Sequence, residues 1–365
     1  MQVCIFPPSS PDQVGVEPRR LAAFEAALPA WVEAGEVVGA ELLVIARKRT
    51  VLHLTAGWKD RERRIPMRPE TIFRIRSMTK PFTGTLALML AEQGVLELED
   101  PVARWLPSFD HAGSRGVTIE HLLRHVAGFD HPGFPAPITR YGSLRGAADA
   151  VGRAGPGAEP GSRYCYSDAG SACLGALVAE AGKAPLEELM RERILEPLGM
   201  ADTLCVLRHE EPRRLRVSCS YKLTDRGFEK YWDIMKPPML DFLAGAGGLY
   251  STPRDFARFL ACWMHGGGGL LSPQSVERAL SVTPMSREAA AHGAYGMQWY
   301  LYSEADAHDD SVLQVFGHDG SDGTWGMAIP KLDLMVLYFS QSRGGGTLWK
   351  VMDLVRGLVE GSRPA

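Results

Sequence analysis

Phe73-Arg-Ile-Arg-Ser77-Met-Thr-Lys80-Pro-Phe-Thr83 passes from a strand-like pattern to a helical one within a few residues. Phe73 and Ile75 alternate with arginine, so Thr71–Arg76 reads as a short strand. From Ser77 onward the pattern is helical: Leu86, Ala87, Leu90 and Ala91 recur at helical spacing, and Gly94 supplies a stop. Ser77 and Lys80 thus stand at i and i+3 on one face at a helix start, where the amine reaches the hydroxyl. A serine hydroxyl is a weak nucleophile and needs a base. Lysine qualifies when burial and neighbours lower its pKa from about 10.4 toward neutrality. The helix N-terminus adds N–H groups and a positive dipole end beside a developing oxyanion. Alone, the spacing is weak, since chance supplies about 0.5 Ser-x-x-Lys pairs in such a chain. An N-cap serine beside a solvated lysine is an equal reading.

Working outward, Arg19–Ala34 is an amphipathic helix carrying Leu21, Phe24, Leu28, Trp31 and Val32. Glu41–Ala46 and Thr50–Gly57 are two strands, with Arg47-Lys-Arg as the hairpin turn. Residues 96 to 207 are mainly helical. A helix opens at Thr118, its N-cap, and ends at Gly128; others run through Gly170–Ala181 and Leu186–Leu195. Phe129–Ser143, with three prolines and four aromatic or histidine side chains, is an ordered loop. After Tyr221 come a helix at Pro253–His265, strands at Met297–Tyr302, Val312–Phe316, Gly326–Ile329 and Leu334–Gln341, and a last helix at Leu348–Glu360. Strands at both chain ends around a helical middle predict an α+β fold: one antiparallel sheet built from both termini and flanked by helices, with an all-helical insertion. We expect one catalytic domain over 1–365, with 1–95 plus 221–365 as its α/β part and 96–220 as the helical part.

Composition excludes several functions. Forty basic against forty-three acidic residues give a net charge of −3, with 45% apolar residues. That balance argues against disorder and against a dedicated nucleic-acid binder. Cys4, Cys165, Cys173, Cys205, Cys219 and Cys262 show no C-x-x-C spacing, so free thiols are expected. The first residues lack a basic and apolar leader pattern, and no apolar run approaches the ~18 residues of a membrane span. A cytoplasmic protein acting on small molecules, without membrane or nucleic-acid partners, is the expectation. Gly-x-Ser-x-Gly is absent, which removes the nucleophile-elbow reading. His121 and His125 have a zinc-compatible i, i+4 spacing, but Leu122 stands where His-Glu-x-x-His needs Glu, and no metal site is assigned.

Two further motifs carry chemistry. Tyr164-Cys-Tyr166-Ser-Asp168 precedes a helix, and a phenol near a cation is a competent proton shuttle. Gly317-His318-Asp319-Gly320-Ser321 ends a strand, and its glycines let the Ser321 N–H point at an oxyanion. Each alone also reads as ordinary structure: a packed tyrosine, or a hairpin turn with a surface histidine.

In this order the three motifs resemble those of the serine β-lactamase and penicillin-binding protein superfamily. The likeness is nearest to class C β-lactamases and the family VIII carboxylesterases of the same fold. Leu96-Glu-Leu-Glu-Asp-Pro-Val, Ile119-Glu-His-Leu-Leu-Arg-His-Val-Ala-Gly-Phe, Glu196-Pro-Leu-Gly-Met and Gly245–Phe259 are similar to its connecting segments. The resemblance spans about residues 35–345. It implies Ser77 as the acylated nucleophile, Lys80 and Tyr166 as proton carriers, His318 in the third catalytic motif, and the N–H groups of Ser77 and Ser321 as the oxyanion hole beside Gly320. No cofactor is implied. Asp168 stands where the family most often has Asn. An ionised Asp only accepts hydrogen bonds, so it is expected to hold Lys80 charged and shift base duty toward Tyr166. His318-Asp319-Gly320 replaces the usual Lys-Thr-Gly or Lys-Ser-Gly, which favours neutral substrates over antibiotics. Trp325, just after this motif, is expected to line the cleft, as are Trp299 and the Phe129–Ser143 loop. The expected activity is hydrolysis of small esters, or amides, through a Ser77 acyl-enzyme. A β-lactamase, a D-amino-acid peptidase or amidase, an acyltransferase and a non-turnover acylated sensor are the alternatives.

Overall fold

The computed structural model describes residues 5–131, 133–236, 240–283, 294–302 and 315–360. Cys4 and the start of the strand expected at Val312 lie outside these residues. β1 (Gly39–Ala46) and β2 (Arg49–Asp60) form the hairpin expected from sequence, with Ala46 opposite Arg49. Its turn residues Arg47 and Lys48 have φ of 47° and 60°, the left-handed pair whose twist matches the flanking strands. β3 (Ile65–Pro66) pairs with β2. The next strands are short: β4 (Phe73–Arg74), β5 (Ser220–Thr224), β6 (Gly227–Trp232) and β7 (Tyr250–Ser251). β4 pairs with β7, and β5 with β6. The later part supplies β8 (Ala294–Tyr295), β9 (Tyr300–Tyr302), β10 (Val315–Gly320), β11 (Thr324–Ile329), β12 (Leu334–Ser340) and β13 (Ser342–Arg343), the last parallel to β5.

The large sheet has the order β3-β2-β1-β12-β11-β10-β9-β8, antiparallel throughout. Its two halves, one from each end of the chain, meet where Ala40 faces Ser340 and Ala46 faces Leu334. Leu43, Ile45, Leu337 and Phe339 point into one core; Leu42, Val44, Val336 and Tyr338 point into the other. Burial on both faces explains why Leu42–Ala46 and Leu334–Phe339 read as unbroken apolar runs.

The helices are α1 (Pro18–Glu33), α2 (Lys80–Glu92), α3 (Ile119–Leu123), α4 (Leu144–Ala154), α5 (Asp168–Gly182), α6 (Leu186–Met190), α7 (Glu196–Leu198), α8 (Pro253–Met264), α9 (Pro273–Ala279) and α10 (Thr347–Glu360). Leu21, Phe24 and Leu28 of α1 join Val351, Val355 and Leu358 of α10 over one sheet face. α2 is buried almost all round, as a helix apolar on every side must be. Phe82 stacks on Phe259 of α8 with ring centroids 3.7 Å apart. Between β4 and β5 the described residues form helices and turns without a strand element. No helix among the described residues is long and apolar enough to cross a membrane.

Three local expectations are corrected. The strand read at Thr71–Arg76 is confined to Phe73–Arg74, because Arg76 turns to φ 52° and the chain winds into a 3-10 turn over Arg76–Thr79. The helix from Thr118 stops at Leu123 rather than Gly128, since His125 takes φ 57°. Helix α4 was not expected, although Leu144, Ala147, Ala148 and Val151 recur at helical spacing and Ser143 caps it by accepting the Gly146 N–H.

Candidate active site

The 3-10 turn carries Ser77 from β4 into α2, whose first residue is Lys80. Tertiary hydrogen bonds hold this turn: the Ile75 N–H donates to Leu249 O at 3.1 Å, and the Leu249 N–H donates to Thr79 Oγ1 at 3.2 Å. Lys80 is fully buried and its Nζ donates three ways: to Ser77 Oγ at 3.1 Å, Asp168 Oδ1 at 2.6 Å and Ala246 O at 3.0 Å. Asp168 opens α5 directly after its N-cap Ser167. Tyr166, one residue earlier, hydrogen-bonds Ser77, and its ring centroid lies 4.6 Å from Lys80 Nζ. Ser77, Lys80, Tyr166 and Asp168 therefore converge on one point.

Electrostatics corrects one expectation. Burial is the largest influence on Lys80 and lowers its pKa, with Asp168 opposing. Burial also pushes the Tyr166 phenol well above its usual range, and the Asp168 charge adds to that rise; only the Ser77 hydrogen bond opposes it. Asp168 favours the charged amine, as expected, but it disfavours the Tyr166 phenolate as well.

His318 sits on β10, opposite Gly326 of β11, and is fully buried. Its Nδ1 donates to the Asp319 carbonyl at 2.8 Å, so Nε2 carries the lone pair facing Tyr295 Oη at 3.2 Å. Burial, chiefly, and then the Lys80 charge push its pKa down to about 3, so the ring is neutral. His318 borders the site through ring packing, 4.8 Å from Tyr300 and 6.4 Å from Tyr166 between centroids. Gly320 is required by close approach: a Cβ there would lie 2.3 Å from Ile75 O. That approach brings Ser321 to the cavity lined also by Ser77.

The cavity, about 240 Å³, has Phe134, Ile138, Val206 and Leu207 on its apolar side and Arg74, Arg76 and Arg343 on another. Phe134 and Ile138 come from the loop expected to line a cleft. The arginines were not anticipated from the third motif, which carries no lysine. Arg76 donates to Asp322 Oδ2 at 2.7 Å and to Tyr231 Oη at 2.7 Å. Arg74 lies 4.3 Å over the Trp232 ring.

Trp325 does not line the cavity. β-strand alternation turns it to the other sheet face, where it is fully buried beside Tyr338, its Nε1 donating to Tyr302 Oη at 3.2 Å. Trp299 is also core, stacked on Phe259 at 5.7 Å. His121 and His125 do not share a helix: His121 Nδ1 accepts the Thr118 N–H at 3.3 Å, and His125 follows the helix end. The sequence reading missed the Ala246 carbonyl, Tyr295, Tyr300 and the arginine wall; Gly245–Gly248, read only as part of a connecting segment, was a usable signal for the first.

The beta-lactamase family profile matches residues 21–359. An uncharacterized protein of Mycobacterium tuberculosis is 31% identical over 354 residues, covering 85% of this chain and 87% of that protein. Esterase EstB of Burkholderia gladioli is 35% identical over 200 residues, 50% of each chain. Among solved structures, EstCE1, described as a hydrolase with promiscuous acyltransferase activity, superposes with a TM-score of 0.80 at 24% identity, covering 93% of this chain and 98% of that one. D-amino acid amidase of Ochrobactrum anthropi superposes with a TM-score of 0.75 at 23% identity, over 95% and 100%. The two superpositions show the fold, while the profile spans nearly the whole sequence. The chain belongs to the beta-lactamase family and is a serine hydrolase.

Proposed function

We propose that this hydrolase cleaves small esters, and amides more slowly, through an acyl-enzyme on Ser77. The observation that carries the reading is the fully buried Lys80 amine 3.1 Å from Ser77 Oγ, at the edge of a cavity. Once Nζ has given up the proton it directs at Ser77, its lone pair takes the Ser77 proton as Oγ bonds to the acyl carbon. The N–H groups of Ser77 and Ser321 receive the developing oxyanion. As the tetrahedral intermediate collapses, the bond to the leaving alkoxide breaks and that oxygen takes a proton relayed through Tyr166. Water then attacks the acyl carbon, gives its proton to the same base, and Ser77 leaves with a proton restored. His318 stays neutral throughout and shapes the pocket rather than transferring protons.

The name of the relative esterase EstB supports ester hydrolysis. A second reading, cleavage of acidic β-lactams or D-peptides, is favoured by Arg76 and Arg343 on the cavity wall. A panel of p-nitrophenyl esters, a chromogenic cephalosporin and D-amino-acid amides, run on wild type and Ser77→Ala, separates these. The ester should turn over fastest, and Ser77→Ala should lower kcat by roughly 10³-fold or more. Equal turnover of ester and cephalosporin would sink the ester preference, and activity independent of Ser77 would sink the mechanism. No disulfide joins the described cysteines, which fits a reducing, cytoplasmic location; cell fractionation tests it.

A further inference from the structure

One residue holds the chain on both sides of Tyr166. The His125 carbonyl accepts the Cys165 N–H at 2.8 Å. The His125 imidazole, through Nδ1, accepts the Ser167 N–H at 3.2 Å. The same ring packs against the phenol between these two anchors, with centroids 4.6 Å apart, and against Tyr295 at 4.9 Å. Such bracketing fixes the Tyr166 backbone and limits the swing of its ring. It also requires the φ of 57° that ends the helix before His125. Left-handed backbone is disfavoured for a residue with a Cβ, so the conformation is retained against a local preference.

The hydrogen bonds also say what His125 does not do. Because Nδ1 accepts a backbone N–H, the proton of the neutral ring must sit on Nε2. Nε2 is buried and has no hydrogen-bond partner among the described residues. A relay needs a partner at both nitrogens, so the ring has no proton path to Ser77 or Lys80. Burial, chiefly, and the Lys80 charge hold the imidazole neutral. What remains is geometry.

We propose that His125 is a positioning residue for Tyr166, setting where the phenol oxygen meets Ser77. This rests on the reading of Tyr166 as a proton carrier given above. It makes His125 act through Tyr166 alone, which a double-mutant cycle detects. The enzymes are wild type, His125→Phe, Tyr166→Phe and the double variant, assayed on p-nitrophenyl acetate with folded fraction checked by circular dichroism. His125→Phe keeps a ring but removes the acceptor for the Ser167 N–H. It should lower kcat between roughly ten- and a hundredfold, as misplacement of a reacting group does. KM should stay within about threefold, because substrate binding is untouched. The double variant should be no slower than Tyr166→Phe. His125→Asn, which offers a carbonyl acceptor and tolerates left-handed φ, should recover most of the loss.

Wild-type kcat in His125→Phe would overturn the proposal. So would losses that multiply in the double variant, since they would show an effect independent of Tyr166. If His125→Phe does not fold, His125→Gln, whose longer amide displaces the Ser167 N–H, takes its place in the cycle. Full activity of Tyr166→Phe alone would overturn the role of Tyr166, and this proposal with it. That outcome needs no change at His125, so the two failures are told apart.

Discussion

Lys80, itself without exposure, makes three polar contacts, and their balance decides its chemistry. Burial favours the neutral amine and Asp168 favours the cation. Removing the Asp168 charge leaves burial unopposed. In Asp168→Asn the Lys80 pKa should fall further, so the deprotonated base appears at lower pH. The ascending limb of kcat/KM against pH should therefore move toward acid. An unmoved limb would count against Lys80 as the titrating base. Ser77 and Lys80 were legible from spacing, Tyr166 and Asp168 from their motif. The direction of the Asp168 effect was not, because it depends on how deeply Tyr166 and Lys80 are buried together.

The turn between β10 and β11 is the element that ties the site to the sheet. Asp322, within it, is 1% exposed and accepts from Arg76 Nε at 2.7 Å and Tyr231 Oη at 2.6 Å. Arg76 immediately precedes the nucleophile, and Tyr231 lies on β6. Three segments distant in sequence are thus joined at one carboxylate. Asp322→Ala leaves a largely buried guanidinium without its main partner, so chemical denaturation should show a loss of roughly 3 kcal/mol. Labelling of Ser77 by a fluorophosphonate should slow as well. A stable variant that labels at the wild-type rate would show that the network is dispensable. Element existence was readable where periodicity was strong, as in α1, α2 and the first hairpin. It failed at the end of α3, where a left-handed histidine overrides the local pattern, and at α4, whose helical spacing went unread.

At the scale of the whole molecule, the central strand β1 buries a charge-bearing side chain between two helical layers. Glu41 has no exposure, and its Oε1 meets His53 Nε2 at 2.7 Å. Burial pushes the Glu41 carboxyl well above the usual range, so the folded chain holds this proton more tightly than the unfolded one. Its contribution to stability is therefore complete below the unfolded value of about 4.3 and is lost as pH rises through the folded one. His53 runs the other way: burial lowers its pKa, so stability is lost as pH falls below its unfolded value of about 6.5. Glu41→Gln keeps a polar partner for His53 but removes the titrating acid. Its Tm should exceed that of wild type increasingly toward alkaline pH; a Tm difference constant with pH would refute the assignment.

The sequence by itself determined the fold class, the hairpin of β1 and β2, and the order of the motifs that name the family, because each is written in local periodicity or short spacing. It also set Ser77 and Lys80 on one face at a helix start, while leaving a solvated lysine as an equal reading. Only the tertiary structure decided which face Trp325 takes, which aromatic rings surround Tyr166, and that arginines rather than neutral groups line the cavity. Those outcomes depend on strand register and on segments far apart in sequence meeting at the sheet edge. A one-residue change of register reverses every side chain in a strand, and no local pattern around Trp325 records which way it falls.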